Sequence, residues 1–258
     1  MIFNSNIDNF PGDIDHRLRI KEEAYTDDLS TPFTPHIATI LKDLSQETKH
    51  HFEQLYQFMA TETQHKLLHQ LIKIFRSHHI LEIGSFTGGS TIAMASALPV
   101  PSSSSLSSKV VSLEIDEKAL DIAKKFTKKA KLEDRIEYIL GPALESLHLL
   151  ASERPKEQYD FVFIDADKGG LMSYYDFIMD HDLLSDDGVI IADNVLFYGQ
   201  VHRQAGYDVI PSNLEFKRDI PGMAKQVHAF NQHVLKDERV EVVMLPLFDG
   251  ISIITKKR

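Results

Sequence analysis

Short apolar runs alternate with helical stretches from His79 onward, and this alternation restricts the fold more than any other feature of the chain. The apolar runs are rich in Ile, Val, Leu and Phe and end in polar turns, which is typical of strands buried on both faces. The sequence therefore predicts an α/β fold with a doubly wound, mostly parallel sheet. The predicted strands are residues 80–83, 110–115, 136–140, 161–164, 189–192, 240–245 and 250–255, and the helices between the first five are 90–97, 117–129, 143–151 and 170–180.

The chain before the first strand divides into two parts. Residues 1–34 are polar and interrupted by prolines, so they are predicted to form an arm, and residues 35–258 to form a single domain. Apolar residues at spacings of three and four predict two or three helices between residues 36 and 75. Later in the chain, residues 99–108 are predicted to be a surface loop, 199–213 an irregular stretch near the site and 214–235 a helix.

Polar side chains follow two of the predicted strands where each strand ends. Asp165, Asp167 and Lys168 come directly after the fourth strand, and Asp193 and Asn194 after the fifth. Because ligands of open α/β sheets bind at the carboxyl ends of the strands, Asp165, Asp193 and Asn194 are expected to converge. Their hard oxygen atoms suit Mg²⁺ or a similar divalent ion, and Lys168 is placed to act as a base.

A glycine-rich turn joins the first strand to the following helix. Gly84 and Gly88 allow close approach of a ligand, and the helix that follows favours an anion. Phe86 occupies the place of the second glycine of a dinucleotide-binding pattern, which argues against a nicotinamide dehydrogenase. Glu114 ends the second strand, where a ribose diol is held in nucleotide-binding folds, and Ala143 follows the third strand in a turn open to a flat adenine.

Composition excludes several classes of function. The 258 residues carry a net charge of −10, which argues against a nucleic-acid-binding or anionic-membrane surface. Cysteine is absent, so disulfides, thiolate nucleophiles and thiolate metal sites are excluded. Neither a secretory signal nor an apolar run long enough to span a bilayer is visible, and a cytoplasmic protein is expected.

With these residues, the chain resembles the cation-dependent O-methyltransferases of the caffeoyl-CoA and catechol type from about Met59 onward. The resemblance implies the Rossmann-like fold of class I methyltransferases, with seven strands of which the last is antiparallel, N-terminal helices, and S-adenosylmethionine as methyl donor. It also implies roles for individual residues. Those implied to bind the donor are Glu82, Gly84, Phe86, Gly88, Ser90, Glu114, Ala143 and Asp165, and those implied to bind the metal are Asp165, Asp193 and Asn194.

The implied reaction is methyl transfer to a hydroxyl of a small catechol-like or hydroxylated aromatic acceptor. Lys168 and Asp165 are the implied catalytic residues, Asp167 is expected to support the site without binding metal, and Mg²⁺ is expected ahead of Ca²⁺ or Mn²⁺. A homodimer is also implied. Two alternatives stay open at this point: methylation of a hydroxylated nucleoside in RNA, and a non-catalytic protein that binds S-adenosylmethionine.

One segment departs from the resemblance. Members of the caffeoyl-CoA branch often carry an Asp-Glu-Gly-Gln-like segment before the helix that leads to the first strand. This chain has Glu62, Thr63, Gln64 and His65 there, and Gly89 stands where a tyrosine is common. The acceptor preference of the caffeoyl-CoA branch is therefore not transferred to this chain.

Overall fold

The structure is a computed structural model that describes residues 24–56, 59–99, 108–152, 157–207 and 219–258. Most of the predicted arm, most of the predicted serine-rich loop and the stretch 208–218 lie outside the described residues. Within the described residues, no helix is long and apolar enough to cross a membrane.

The predicted sheet is present, with seven strands in the order β3-β2-β1-β4-β5-β7-β6. Strands β1 to β5 pair in parallel, and only β7 runs antiparallel to its neighbours β5 and β6. The doubly wound fold with an antiparallel last strand is thus confirmed. The strands are β1 His79–Ile83, β2 Lys109–Glu114, β3 Ile136–Leu140, β4 Tyr159–Ile164, β5 Leu184–Asp193, β6 Val240–Leu245 and β7 Ile251–Lys256.

The strand order reverses between β1 and β4, and this reversal opens the crevice in which such sheets bind ligands. The backbone of Gly84 donates to the carbonyl of Leu113 at 2.9 Å, and Asp165 donates to the carbonyl of Ile83 at 2.9 Å. These bonds continue the ladders past the strands, so the segments after β1 and β4 start out side by side.

Helices flank the sheet and divide the apolar residues into two cores. Val162 and Ile164 of β4 belong to one core, whereas Phe161 and Phe163 point to the other, and all four are fully buried. Burial on both faces explains the near-continuous apolar runs in the sequence. The helices are α1 Pro35–His51, α2 Glu62–Phe75, α3 Gly89–Ala97, α4 Glu117–Ala130, α5 Ala143–Ser152, α6 Leu171–Asp180, α7 Val201–Gln204 and α8 Ile220–Lys236.

Two elements differ from the sequence prediction. Strand β5 starts at Leu184 rather than 189, because Leu184 pairs with Tyr159 across a register shift although polar residues follow it. The stretch predicted to be irregular contains α7, whose Val201 is buried among the residues of the larger core. Hydrophobic periodicity cannot reveal either feature, since the first part of β5 is polar and α7 spans a single turn.

Residues 24–34 of the predicted arm pack on α2. The Asp27 carboxylate accepts a hydrogen bond from the Lys66 ammonium at 2.7 Å, and the Phe33 ring meets the His69 ring edge to face at 5.3 Å. Phe33 is itself buried. This part of the arm therefore contacts α2 at Lys66, near its first turn, and at His69 one turn later.

Candidate active site

The turn after β1 needs glycine at its first position. Gly84 has a φ of +94°, and a Cβ there would lie 2.3 Å from the carbonyl oxygen of Asp165. Any side chain would therefore force β1 and β4 apart at the ligand edge. Gly88, with a φ of +87°, is the N-cap of α3, and a Cβ there would meet Ala123 at 2.9 Å. Gly84 thus allows β1 and β4 to lie close together at this edge, and Gly88 allows α3 to pack closely on α4. The role of both glycines in binding the methyl donor stays a prediction.

Glu82 lies fully buried below this turn, at the end of β1. Its carboxylate accepts hydrogen bonds from the hydroxyls of Ser90, Thr91 and Ser112, the last at 2.6 Å. Burial raises the pKa of Glu82 to about 7, although the three hydroxyl donors oppose the shift. Through these hydrogen bonds Glu82 connects β1, β2 and α3 beneath the glycine-rich turn after β1. The hydroxyl hydrogen of Ser90 points toward Glu82.

Glu114 is oriented by backbone amides at the end of β2. One carboxylate oxygen accepts from Phe86 at 2.6 Å, and the other accepts from Ile115 and Asp116 at 2.8 Å each. Burial raises the pKa of Glu114, and the amide donors act against that shift. The three amides occupy three of about four lone-pair positions of the carboxylate, so about one position is left for a ligand hydroxyl. The ribose contact stays a prediction.

Phe86 and Ala143 stand on the two sides of Glu114. Phe86 adopts a φ of +48° and packs against Phe52 with 5.0 Å between the ring centroids. Ala143 begins α5, and the preceding Gly141 donates to the carbonyl of Glu114 at 2.9 Å. The donor residues predicted from the first three strand ends are thus gathered at one edge of the sheet.

The acids after β4 and β5 meet Lys168 at the same edge. The Lys168 ammonium lies 3.5 Å from Oδ1 of Asp165, and its side chain is only 10% exposed. Burial raises the pKa of Asp165 while Lys168 lowers it, and burial together with the charge of Asp165 raises the pKa of Asp193 to about 7. Two shielded carboxylates that repel each other favour a cation between them.

Asn194 follows Asp193 in a left-handed conformation, with a φ of +58°. Its amide donates to Asp193 Oδ1 at 2.8 Å, and the next residue, Val195, donates to the carbonyl of Gly250 at 3.1 Å. Asp167 instead accepts hydrogen bonds from the backbone amide of Gly170 and from the hydroxyl of Tyr174 in α6. These bonds join the loop after β4 to the first turn of α6, and the expectation that Asp167 does not bind metal stays a prediction.

The residues present fit a divalent ion of the hard type. Among the described residues, no group of three or more His, Cys, Asp or Glu side chains is arranged to hold a metal. The candidate set is instead two carboxylates and one amide, Asp165, Asp193 and Asn194, which is the ligand chemistry that Mg²⁺, Mn²⁺ and Ca²⁺ prefer.

Sequence reasoning missed two side chains at this edge, and both come from the first turn of α2. The Gln64 amide donates to Asp193 Oδ2 at 2.6 Å across 129 residues of chain. His65 is buried against the start of α3. The only signal in the sequence was the departure at 62–65, and its meaning depends on how α2 docks onto the sheet.

The sheet with its single reversed strand, the glycine turn and the acid after β2 together define the fold of a class I S-adenosylmethionine-dependent methyltransferase. The profile of a family described as O-methyltransferase matches residues 33–257. The chain belongs to this O-methyltransferase family and is an S-adenosylmethionine-dependent O-methyltransferase. The match starts well before Met59, so the resemblance covers more of the chain than the motifs alone indicated.

Relatives and solved structures agree with this assignment. The chain is 29% identical over 243 residues to a caffeoyl-CoA O-methyltransferase of Medicago sativa, covering 93% of this chain and 92% of the relative. It is 30% identical over 243 residues to caffeoyl-CoA O-methyltransferase 2 of Eucalyptus globulus, with the same coverage. The SAH-bound methyltransferase PaMTH1 of Podospora anserina superimposes with a TM-score of 0.80 at 25% identity, covering 97% of this chain and 100% of that one. An SAH complex of an O-methyltransferase from Bacillus cereus gives 0.75 at 29%, covering 92% and 97%.

Proposed function

We propose that this enzyme transfers the methyl group of S-adenosylmethionine to one of two adjacent hydroxyls on a small catechol-like or hydroxylated aromatic acceptor, with the help of a divalent metal ion. The observation that carries the proposal is the placement of Lys168 beside the shielded pair Asp165 and Asp193 at the donor edge. Relatives named caffeoyl-CoA O-methyltransferase have a caffeoyl group in the name of their acceptor, and a caffeoyl ring carries adjacent hydroxyls, which supports such an acceptor here.

In this proposal Asp165, Asp193 and Asn194 hold the metal. The bound ion, expected to be Mg²⁺, supplies a lower pKa to an acceptor hydroxyl and fixes its orientation. The side-chain amide of Gln64 donates to Asp193 Oδ2, which orients this carboxylate before a metal binds. The Asp193–Asn194 turn is tied to the segment before β7 by the bond from Val195 to Gly250, which limits its motion.

Lys168 is the proposed base. The acceptor oxygen would attack the methyl carbon, and the carbon–sulfur bond would break with its electrons going to sulfur. The hydroxyl proton would pass to Nζ of Lys168, which has to enter this step as the uncharged amine. Neutral S-adenosylhomocysteine is then released. The short distance to Asp165 keeps the Lys168 side chain at the edge where the acceptor would bind, and its low exposure limits competition from water.

The direct test measures Mn²⁺ binding and methyl transfer for Asp193→Asn, with and without EDTA, on a panel of catechols. Loss of the second carboxylate should weaken Mn²⁺ binding and lower transfer by on the order of 100-fold or more, because the acceptor is no longer activated. Donor affinity, measured by calorimetry, should stay unchanged. Asp167→Asn is the matched control, since this acid follows the same strand as Asp165 but accepts its hydrogen bonds from Gly170 and Tyr174.

Two further arms complete the experiment. Lys168→Arg places a permanent positive charge beside Asp165 and cannot accept a proton, so transfer should fall on the order of 100-fold while the protein still binds Mn²⁺. An RNA substrate arm examines the alternative acceptor. EDTA-insensitive transfer with unchanged Mn²⁺ affinity in Asp193→Asn would show that the metal assignment is wrong, and transfer to RNA alone would show that the acceptor class is wrong.

A further inference from the structure

His65 lies in a place where nothing in the protein uses its ring nitrogen. The side chain projects from the first turn of α2 onto α3, and the residue is only 4% exposed. A Cβ at Gly89 would lie 2.8 Å from His65 Nε2 and 3.4 Å from the methyl group of Met59. The imidazole thus fills the space that any side chain at Gly89 would need.

His65 Nε2 has no hydrogen-bond partner among the residues that the structure describes. A buried polar nitrogen without a partner is unfavourable, so its presence in a native site calls for a ligand. Burial lowers the pKa of His65 to about 4, which keeps the ring neutral, and a neutral imidazole can carry one donor proton on Nε2. The nitrogen therefore has a hydrogen-bonding capacity that the described residues do not meet and that an acceptor atom of a bound ligand would satisfy.

His65 faces the N-terminus of α3, where the first backbone amides have no hydrogen-bond acceptor within the helix. The first amides of α3 are those of Gly89, Ser90 and Thr91, and amides at such positions have no acceptor within a helix. The N-cap Gly88 has no side chain to accept from them. The hydroxyls of Ser90 and Thr91 donate to Glu82 instead. The helix start thus attracts an anion, and the unpartnered nitrogen of His65 lies against it.

We propose that His65 binds the methyl donor, donating a hydrogen bond from Nε2 to the carboxylate of S-adenosylmethionine at the N-terminus of α3. The carboxylate is the only anionic group of this ligand. The Ser90 hydroxyl already donates its hydrogen bond to Glu82. His65 supplies the side-chain donor that Ser90 does not. The proposal depends on the methyl donor alone and not on the metal or the acceptor, so it can fail or succeed separately from the proposed function.

The test is calorimetric titration of the full chain in EDTA, without acceptor, using S-adenosylmethionine and its decarboxylated form. His65→Ala should weaken binding of S-adenosylmethionine by roughly 10- to 100-fold, as expected for one hydrogen bond to a charged group. The affinity for decarboxylated S-adenosylmethionine should change little, because that ligand lacks the accepting oxygens. His65→Gln, which keeps a donor of similar reach, should recover most of the affinity.

His69→Ala is the matched control. His69 lies one turn further along α2 and also faces α3, but its ring bonds Ser96 and the carbonyl of Ala93, away from the helix start. It should leave both affinities unchanged. Equal weakening of both ligands by His65→Ala would mean that the ring only supports the fold, and unchanged S-adenosylmethionine binding would mean that it is not a ligand; either result overturns the proposal.

A second variant decides the matter if His65→Ala does not fold. Gly89→Ala places a methyl group within 2.8 Å of Nε2, so the imidazole must move away while α3 keeps a good helix former. The same selective loss of S-adenosylmethionine affinity is expected. Unchanged affinity, or equal loss for both ligands, would again overturn the proposal.

Discussion

At the scale of single residues, Glu82 shows how a buried acid can link the cofactor turn to protein stability. Its pKa is raised from an ordinary value of 4.5 to about 7, mainly because the carboxylate is shielded from water. An acid whose pKa is higher in the folded state stabilises the fold fully below its unfolded pKa. That contribution is lost as the pH rises from 4.5 to 7.

We therefore expect the free energy of unfolding to fall by about 3 kcal/mol over this range relative to Glu82→Gln, using 1.36 kcal/mol per pKa unit as an order-of-magnitude conversion. Urea unfolding of both proteins at a series of pH values in EDTA measures the difference. The side chain of the Glu82→Gln variant does not ionise, so the variant shows the pH dependence of stability without the contribution of Glu82. Parallel pH profiles would show that Glu82 is ionised without penalty in the folded protein.

At the scale of elements, α2 contributes two side chains to the site, Gln64 and His65, that do not come from the sheet or its turns. In its first turn, the side chain of Gln64 bonds Asp193 and the ring of His65 packs on α3. The hydroxyl of the N-cap residue Thr61 accepts a hydrogen bond from the backbone amide of Gln64 at 3.2 Å. The Asp27–Lys66 ion pair holds the same turn from outside. The position of two site residues thus depends on how one helix begins.

Thr61→Val is expected to lower the free energy of unfolding by about 1 kcal/mol and also to weaken Mn²⁺ binding, since Gln64 loses its fixed start. Thr34→Val removes the equivalent contact at α1, where Thr34 accepts from the Ile37 amide at 3.5 Å. This control should affect stability only. Urea unfolding and Mn²⁺ titration compare the two variants, and equal Mn²⁺ affinities would contradict the role given to α2.

The elements also show how far sequence reasoning reaches. The strands were predictable because burial on both faces demands apolar runs. The positions of Asp165, Glu114 and Asp193 were predictable because Asp165 directly follows β4, and Glu114 and Asp193 are the last residues of β2 and β5. Gln64 and His65 were not, since their roles arise from docking between segments far apart in sequence. The assignments of donor, metal and catalytic residues stay predictions until they are tested, as does the homodimer, which light scattering would examine.

At the scale of the whole molecule, one continuous sheet separates two cores. A substitution in β7 should therefore also lower the stability of β1. Ile254 of β7 is fully buried and pairs with Ile190 of β5. Ile254→Val should lower the free energy of unfolding by about 1 kcal/mol, the usual loss for one buried methyl group. Native-state hydrogen exchange should report the same loss for amides of β1 and of β5.

Ile253→Val is the control, because its side chain is partly exposed and should lose less. A loss confined to β5 and its neighbours would instead indicate that the two halves of the sheet open independently. The same measurement would then locate the boundary between them.

The position of β7 has a consequence for how the enzyme is made. Asp193 pairs with Ile251. On the ribosome, residues 184–193 are synthesised long before residues 251–256 exist, so a growing chain presents β5 with an open apolar edge of the kind that recruits other strands. The catalytic edge can be completed only when the final strand inserts between two strands already made. Until then β5 and β6 must stay unpaired with each other, because β7 has to insert between them.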